Sequence, residues 1–288
     1  MRRAAPKASP IDGVNYTVTG EGEHALVLLH GFADNLGTWN RVIPRLAVDR
    51  KVIAIDLPGF GGSTMPWTRP LLRCYVDAVR SVLDAEGVRG AVSLMGNSMG
   101  AVVSLLFAAY EPDRVDGIVL IDMPALHHVP RLWQLVMSRP AEYALRAGLR
   151  ALPDGTAQFG LGWFYTHVAA VHPGRLDPLV REGFLSPYAA RERVSALLPL
   201  GRVLISELRA ARLGSLVATI SVPTLIVFGS RDLLTPARVL RRLGRPGGAV
   251  VLPGCGHCPQ VDQPQALLGE VLPFLQAAAE HVDDAQIA

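Results

Sequence analysis

Short apolar, β-branched runs alternate with helix-patterned segments along most of this 288-residue chain, and that alternation limits its fold more than any other feature. It predicts an α/β fold, with a mostly parallel central sheet of about eight strands flanked by helices. Half of the residues are hydrophobic, which is enough to bury such a sheet. The sequence places strands at residues 14–18, 25–29, 51–56, 91–95, 117–122, 222–229 and 248–252, the first as an edge hairpin strand, and helices at 70–86, 101–110, 237–243 and 265–279.

The alternation stops between residues 123 and 220. That segment is rich in Leu, Ala and Arg, is punctuated by Pro and Gly, and has helical rather than strand patterning. We therefore expect residues 1–122 and 221–288 to form the α/β core, and residues 123–220 to form an inserted helical cap, or lid.

Composition excludes several classes of function. The 28 basic and 25 acidic residues give a net charge of only +3, and no dense basic tract lies beyond the extreme N-terminus, so we expect no nucleic-acid partner. The apolar runs are too short for a secretion signal or a spanning helix. We therefore expect a cytoplasmic protein, for which transient contact with a membrane surface stays open. The sequence gives no indication of oligomeric state.

Three cysteines are too few for a disulfide framework. Two of them form Cys255-Gly-His-Cys258, but this pair lies near the C-terminus rather than at the start of a helix early in the fold, where a redox pair is expected. One histidine and two cysteines also make a poor zinc site. We expect neither a metal nor an organic cofactor.

The pentapeptide Gly96-Asn97-Ser98-Met99-Gly100 lies between a predicted buried strand and an apolar helix. A nucleophile elbow requires this context, because a sharp turn there lifts the serine above the sheet. The flanking glycines permit close backbone approach, and the dipole of the following helix favours negative charge. We predict that Ser98 is a nucleophile.

A serine nucleophile requires a base and an acid that orients it. His257 follows the last predicted strand in a loop of small residues, and Asp232 follows the strand before it, so the chain order is Ser, Asp, His. Asp122 competes for the acid role because it also ends a strand at the carboxyl edge of the sheet. The backbone amides of Phe32 and Met99 are the predicted oxyanion donors.

Together these motifs resemble the α/β-hydrolase superfamily over nearly the whole chain. Serine at the elbow argues against the epoxide hydrolase and haloalkane dehalogenase branches, and the elbow and the His-Gly-Phe loop are similar to those of small-lid esterases and monoacylglycerol lipases. The landmarks are His30-Gly31-Phe32, Asp56-Leu57-Pro58-Gly59-Phe60-Gly61, Gly96-Asn97-Ser98-Met99-Gly100, Gly229-Ser230-Arg231-Asp232 and Gly256-His257.

The same elbow is similar to that of the meta-cleavage product hydrolases, which split carbon–carbon bonds in dienol diketones. Those enzymes usually carry a tryptophan after the histidine, where this chain has Cys258. They also use a lid arginine, for which Arg175, Arg181, Arg191 and Arg193 are candidates.

We therefore predict a carboxylesterase or lipase-like serine hydrolase, and the aromatic and aliphatic cap residues favour small-molecule esters with apolar acyl groups. Three alternatives remain. They are a carbon–carbon hydrolase, a lyase that uses the same triad, and a ligand-binding protein of this fold without catalysis.

Overall fold

The computed structural model describes residues 13–124, 129, 131–153, 155–170, 178–242 and 249–287. Across these residues the chain forms one mixed sheet of seven strands in the order β1-β3-β2-β4-β5-β6-β7. All neighbouring strands are parallel except β1 and β3. The strands are β1 (Tyr16–Thr19), β2 (Ala25–Leu29), β3 (Lys51–Ile55), β4 (Val92–Asn97), β5 (Val115–Ile121), β6 (Thr224–Gly229) and β7 (Ala249–Leu252).

The predicted α/β class and mostly parallel sheet are confirmed, with two corrections. The described residues contain seven strands rather than about eight, because every strand-like run of the sequence is already used by these seven. The first strand lies at the sheet edge but forms no hairpin with β2. It pairs antiparallel with β3 instead, with Tyr16 opposite Ile55 and Thr19 opposite Val52.

Helices cover both faces of the sheet because side chains alternate between faces along each strand. In β2, Val27 and Leu29 join one buried apolar cluster, whereas Leu26 and Leu28 join another on the opposite face. The helices of the sheet layers are α1 (Ile43–Leu46), α2 (Leu71–Ala85) and α3 (Met99–Tyr110), and, after the segment that separates β5 from β6, α10 (Pro259–Asp262) and α11 (Pro264–Ile287).

The described residues between β5 and β6 contain helices and no strand, in keeping with the helical pattern of the sequence there. These helices are α4 (Arg131–Val136), α5 (Arg139–Ala151), α6 (Thr156–Phe164), α7 (Pro178–Leu185), α8 (Arg191–Ala210) and α9 (Leu213–Thr219). A π-helical turn at Tyr165–Ala169 follows α6, and a 3₁₀ turn at Ser186–Tyr188 follows α7.

Among the residues that the structure describes, no helix is both long enough and apolar enough to span a bilayer.

Candidate active site

Ser98 lies at the turn between β4 and α3, in a backbone conformation that serine rarely adopts. Its φ of 53° and ψ of −114° place it in the left-handed half of the backbone map. Strain of this kind persists only where surrounding structure enforces it. Here the Ser98 amide donates to the carbonyl of Ile121 on β5 at 2.8 Å, and the Ser98 side chain is half-buried.

Glycine is required on both sides of this turn. A Cβ on Gly96 would overlap the backbone of Gly100, and a Cβ on Gly100 would overlap the carbonyl of Leu29 on the neighbouring strand. The two glycines therefore let the first turn of α3 approach the sheet closely enough to form the elbow.

The structure brings Asp232 and His257 together in a buried pair. Asp232 Oδ2 lies 2.8 Å from Nδ1 of His257, and the two residues are 4% and 6% exposed. The other oxygen, Oδ1, accepts the amides of Leu234 at 2.7 Å and Thr235 at 3.0 Å. Burial opposes ionisation of Asp232, but the charge and hydrogen bond of His257, with the bonds from Thr235, hold its pKa well below the ordinary value.

Asp122, the competing acid, lies beside this pair without taking its place. One carboxyl oxygen of each aspartate and one ring nitrogen of His257 all lie within 4.8 Å of one another. Asp122 Oδ1 accepts the Gly229 amide at 2.9 Å, whereas Oδ2 is buried without a hydrogen-bond partner among the described residues. Burial and then the charge of Asp232 raise the pKa of Asp122 well above its ordinary value. The pKa values of these two neighbouring carboxyl groups are thus shifted in opposite directions.

These three groups are also the only candidate metal cluster within the described part of the chain. The 2.8 Å contact between His257 and Asp232 already uses one ring nitrogen and one carboxyl oxygen in a hydrogen bond. A hydrogen-bonded acid and base are the parts of a proton-transfer site rather than of a preformed metal site.

The loop after β2 runs beside the elbow. A Cβ on Gly31 would lie 3.4 Å from the Cβ of Ser98, so Phe32, the next residue, begins within reach of the site. His30 fixes this loop, because its Nε2 accepts the Leu57 amide at 3.0 Å. Burial lowers the pKa of His30, which favours the neutral ring that this acceptor role requires.

The described contacts contain no direct hydrogen bond between Ser98 and His257. Such bonds are often long in a structure without substrate. The side chain of Asn97, the residue before Ser98, links the two loops instead, because its Nδ2 donates to the carbonyl of His257 at 2.9 Å. Gln260 Nε2 donates to Asn97 Oδ1 at 3.3 Å, which orients the Asn97 amide.

Asn97 and Thr235 are functional candidates that sequence reasoning missed. No sequence signal identified Asn97, since its partner lies 160 residues away. Thr235 does have a signal, because an aspartate after a strand commonly forms an Asx turn by accepting the amide two residues on, and Thr235 directly follows that position. Its hydroxyl lies against Asp232 Oδ2 and 3.3 Å from His257 Nδ1.

Both cysteines of the Cys-x-x-Cys pair are buried, as is Cys74. Burial raises the pKa of the Cys255 and Cys258 thiols, so neither is activated as a thiolate. Cys258 Sγ lies 3.9 Å from Asn97 Oδ1.

The segment between β5 and β6 contacts the core at this site. The His257 amide donates to the carbonyl of Ala169 at 2.9 Å. Of the four arginines considered as lid candidates, Arg175 lies outside the described residues and so does the side chain of Arg181. Arg191 donates to the Leu149 carbonyl and Arg193 to the Gly61 carbonyl, each at 3.2 Å.

Another polar group lies near the site. Asp34, two residues after Phe32, is 4% exposed, and its Oδ2 is unpartnered within the described residues. Burial raises the pKa of Asp34 to about 7.

The chain is similar in sequence to known proteins. The dihydrolipoyllysine-residue acetyltransferase component of the acetoin cleaving system of Pseudomonas putida is 30% identical over 274 residues, which are 91% of this chain and 66% of that protein. The pimeloyl-[acyl-carrier protein] methyl ester esterase of Edwardsiella ictaluri is 27% identical over 269 residues, covering 92% of this chain and 95% of the relative.

The fold also matches solved structures. A thermophilic esterase from Thermogutta terrifontis superimposes with a TM-score of 0.75 at 23% identity, over 95% of this chain and 97% of that one. The model of the alpha/beta hydrolase fold family matches residues 24–264, which include the elbow, the loop after β2 and the acid–base pair. The chain therefore belongs to the α/β-hydrolase fold family.

Proposed function

We propose that this chain is a serine hydrolase that cleaves small carboxylic esters through an acyl-enzyme. Ser98 is the nucleophile, His257 the base and Asp232 the acid that orients it. The observation that carries the proposal is the buried Asp232–His257 pair at 2.8 Å, tied through Asn97 to a serine in a strained elbow. This is the order of roles that nucleophilic acyl transfer requires.

In the proposed reaction, the Ser98 oxygen attacks the ester carbonyl while His257 Nε2 takes its proton. Asp232, held ionised, stabilises the imidazolium that forms and keeps Nδ1 facing the carboxylate. The amides of Phe32 and Met99 donate to the oxyanion, and one such donor typically contributes ~3 to 4 kcal/mol. His257 then protonates the leaving alcohol, and water attacks the acyl-enzyme by the reverse steps.

We further propose that residues 123–220 act as the cap and provide an apolar acyl pocket. A cavity of about 240 Å³ lies between the loop after β3 and α8. It is smaller than the ~300 to 1,000 Å³ of typical drug-sized sites, which favours a short acyl group. Its apolar wall consists of Met65, Pro66, Trp67, Ala196, Leu197 and Leu200.

The cavity lies one layer of side chains from the proposed oxyanion loop. Phe60, beside Gly59 of the cavity wall, contacts Phe32 edge to face with ring centroids 5.5 Å apart. The relatives support the reaction class, because two of them are named as esterases.

A fluorophosphonate probe tests the nucleophile. We expect it to label the wild-type protein and the Ser215→Ala variant, whose substituted serine lies exposed on α9, but not Ser98→Ala. Labelling of a folded Ser98→Ala variant at the same rate would overturn the assignment.

A panel of p-nitrophenyl esters of increasing acyl length tests the substrate class. We expect turnover to be highest for short apolar acyl groups and to fall by up to ~10⁶ in kcat on Ser98→Ala or His257→Ala substitution. Cleavage of a dienol diketone without turnover of any ester would instead identify a carbon–carbon hydrolase.

A further inference from the structure

Exposed apolar side chains concentrate on helices α4, α5 and α6 and at the end of α5. Of the twelve large apolar residues exposed in the described chain, eight lie between positions 132 and 163. We call these eight the docking face. They are Leu132, Leu135, Val136, Tyr143, Leu145, Leu152, Phe159 and Trp163, with exposed fractions of 42% to 73%.

A surface helix usually buries its apolar side and exposes its charges. Helix α5 departs from this rule. Here Glu142 turns inward, with 12% of its side chain exposed, and forms ion pairs with Arg146 and with Arg202 of α8. The next residue, Tyr143, points outward and is 73% exposed.

The two neighbouring helices present apolar residues outward in the same way. On α4, Leu135 follows Leu132 by one turn, and both are 67% exposed, whereas Trp133 turns inward and meets the ring of Phe164 edge to face. On α6, Phe159 and Trp163 are four residues apart, 70% and 54% exposed. Neither α4 nor α5 has a fully buried side chain.

The charge on these helices indicates what covers this face. Residues 131–164 contain four arginines against Glu142 and Asp154. Arg131, Arg139 and Arg150 are exposed. Basic residues beside Trp, Tyr, Phe and Leu are typical of helices that lie in the interface of an anionic bilayer. A second copy of the chain would bring like charges together in a two-fold contact.

We propose that α4–α6 dock the protein on the surface of an anionic phospholipid bilayer. The apolar side chains enter the boundary between headgroups and acyl chains, and the arginines lie at the phosphate level. This proposal does not rest on the reaction at Ser98.

Co-sedimentation with vesicles tests the proposal. The full chain should sediment with vesicles of phosphatidylcholine containing phosphatidylglycerol, and less with phosphatidylcholine alone. Trp163→Glu should weaken binding to the anionic vesicles at least about tenfold, because it removes an aromatic side chain that would enter the bilayer and adds a charge that the anionic lipids repel. Arg139→Gln should weaken it about fivefold, and only on anionic vesicles.

Val48→Glu is the matched control, because Val48 is 68% exposed and lies before β3 rather than on the docking face. Its binding should equal that of the wild type. Circular dichroism verifies that each variant is folded, which we expect since the substituted side chains are exposed.

Three results would overturn the proposal. The first is a folded wild type that fails to sediment with anionic vesicles. The second is a folded Trp163→Glu variant that binds these vesicles as well as the wild type does. The third is a wild-type dimer in analytical ultracentrifugation that Trp163→Glu dissociates, because the docking face would then be covered by a second copy.

Discussion

At the scale of single residues, two carboxyl groups lie beside His257 and only Asp232 makes the hydrogen bond to its ring. Asp122 is fully buried, and burial and then the charge of Asp232 raise its pKa, which favours the uncharged form of this carboxyl group over that of Asp232. We therefore expect Asp232→Asn to lower kcat by about 10⁴, as loss of the orienting carboxylate does in other triads. Steady-state kinetics on a p-nitrophenyl ester measures this effect.

Asp122→Asn is the matched variant for that measurement. It keeps the oxygen that accepts the Gly229 amide and replaces a carboxyl group that makes no hydrogen bond to the His257 ring, so we expect kcat to change by less than about tenfold. A larger loss in Asp122→Asn than in Asp232→Asn would reassign the acid to Asp122.

Asp34 predicts a pH dependence of stability. Its pKa rises from 3.8 to about 7 on folding, so the folded chain binds this proton more tightly than the unfolded chain. As the pH rises from about 4 to about 7, ionisation of Asp34 therefore lowers the free energy of unfolding, and above pH 7 this loss stays constant. Asp34→Asn removes the loss, so the stability of the variant relative to wild type should increase across this pH range.

Urea denaturation of both proteins at each pH measures the difference. Asp113→Asn, at an exposed position after α3, should show no comparable trend. A difference between Asp34→Asn and wild type that stays constant with pH would contradict a raised pKa at Asp34.

At the scale of elements, the elbow predicts which glycines the fold requires. Gly100→Ala forces a Cβ into the carbonyl of Leu29, where strand β2 leaves no room to move. We expect a loss of more than about 3 kcal/mol in the free energy of unfolding, or no soluble protein. Gly90→Ala, where a Cβ would meet nothing within 4 Å, should change stability by less than about 1 kcal/mol. Equal stability of the two variants would contradict this packing.

The core elements were predictable because their signals are local. Buried strands such as β2 and β4 are apolar runs, and the elbow is a short motif between a strand and a helix. The partner of β1 was not predictable, since pairing with β3 instead of β2 depends on contacts distant in sequence. Thr235 could have been inferred from its spacing to Asp232, but Asn97 could not. The catalytic roles of Ser98, Asp232 and His257 stay predictions.

The outward apolar face of α5 was also beyond sequence reasoning. Its pattern is amphipathic, and the usual reading places the apolar side against the core. The inward position of Glu142 depends on Arg202, which lies sixty residues later on α8. A partner at that distance leaves no mark on the local sequence.

At the scale of the whole molecule, the chain divides into parts of unequal burial. Every residue of β4 and β5 is buried, whereas α4 and α5 contain no buried side chain. Few buried contacts mean a low free energy of local opening. In native-state hydrogen exchange we therefore expect amides of α4 and α5 to exchange before those of β4, β5 and α3. Uniform protection would show that the cap and core open as one unit.

The ion pairs of Glu142 sharpen that expectation, because the pair with Arg202 joins α5 to α8 and the pair with Arg146 lies within α5. Glu142→Gln removes the charge from a side chain that is only 12% exposed, while keeping its shape. Hydrogen bonds to charged groups contribute roughly 1.5 to 3 kcal/mol, so exchange in α5 should accelerate about tenfold or more. Exchange in β4 should not change, because no part of the sheet core is altered.

Asp77→Asn, which disrupts the exposed ion pairs of α2, should leave exchange in α5 as it is in the wild type. If Glu142→Gln instead accelerated exchange in α5 and β4 equally, the cap would be part of the same cooperative unit as the sheet.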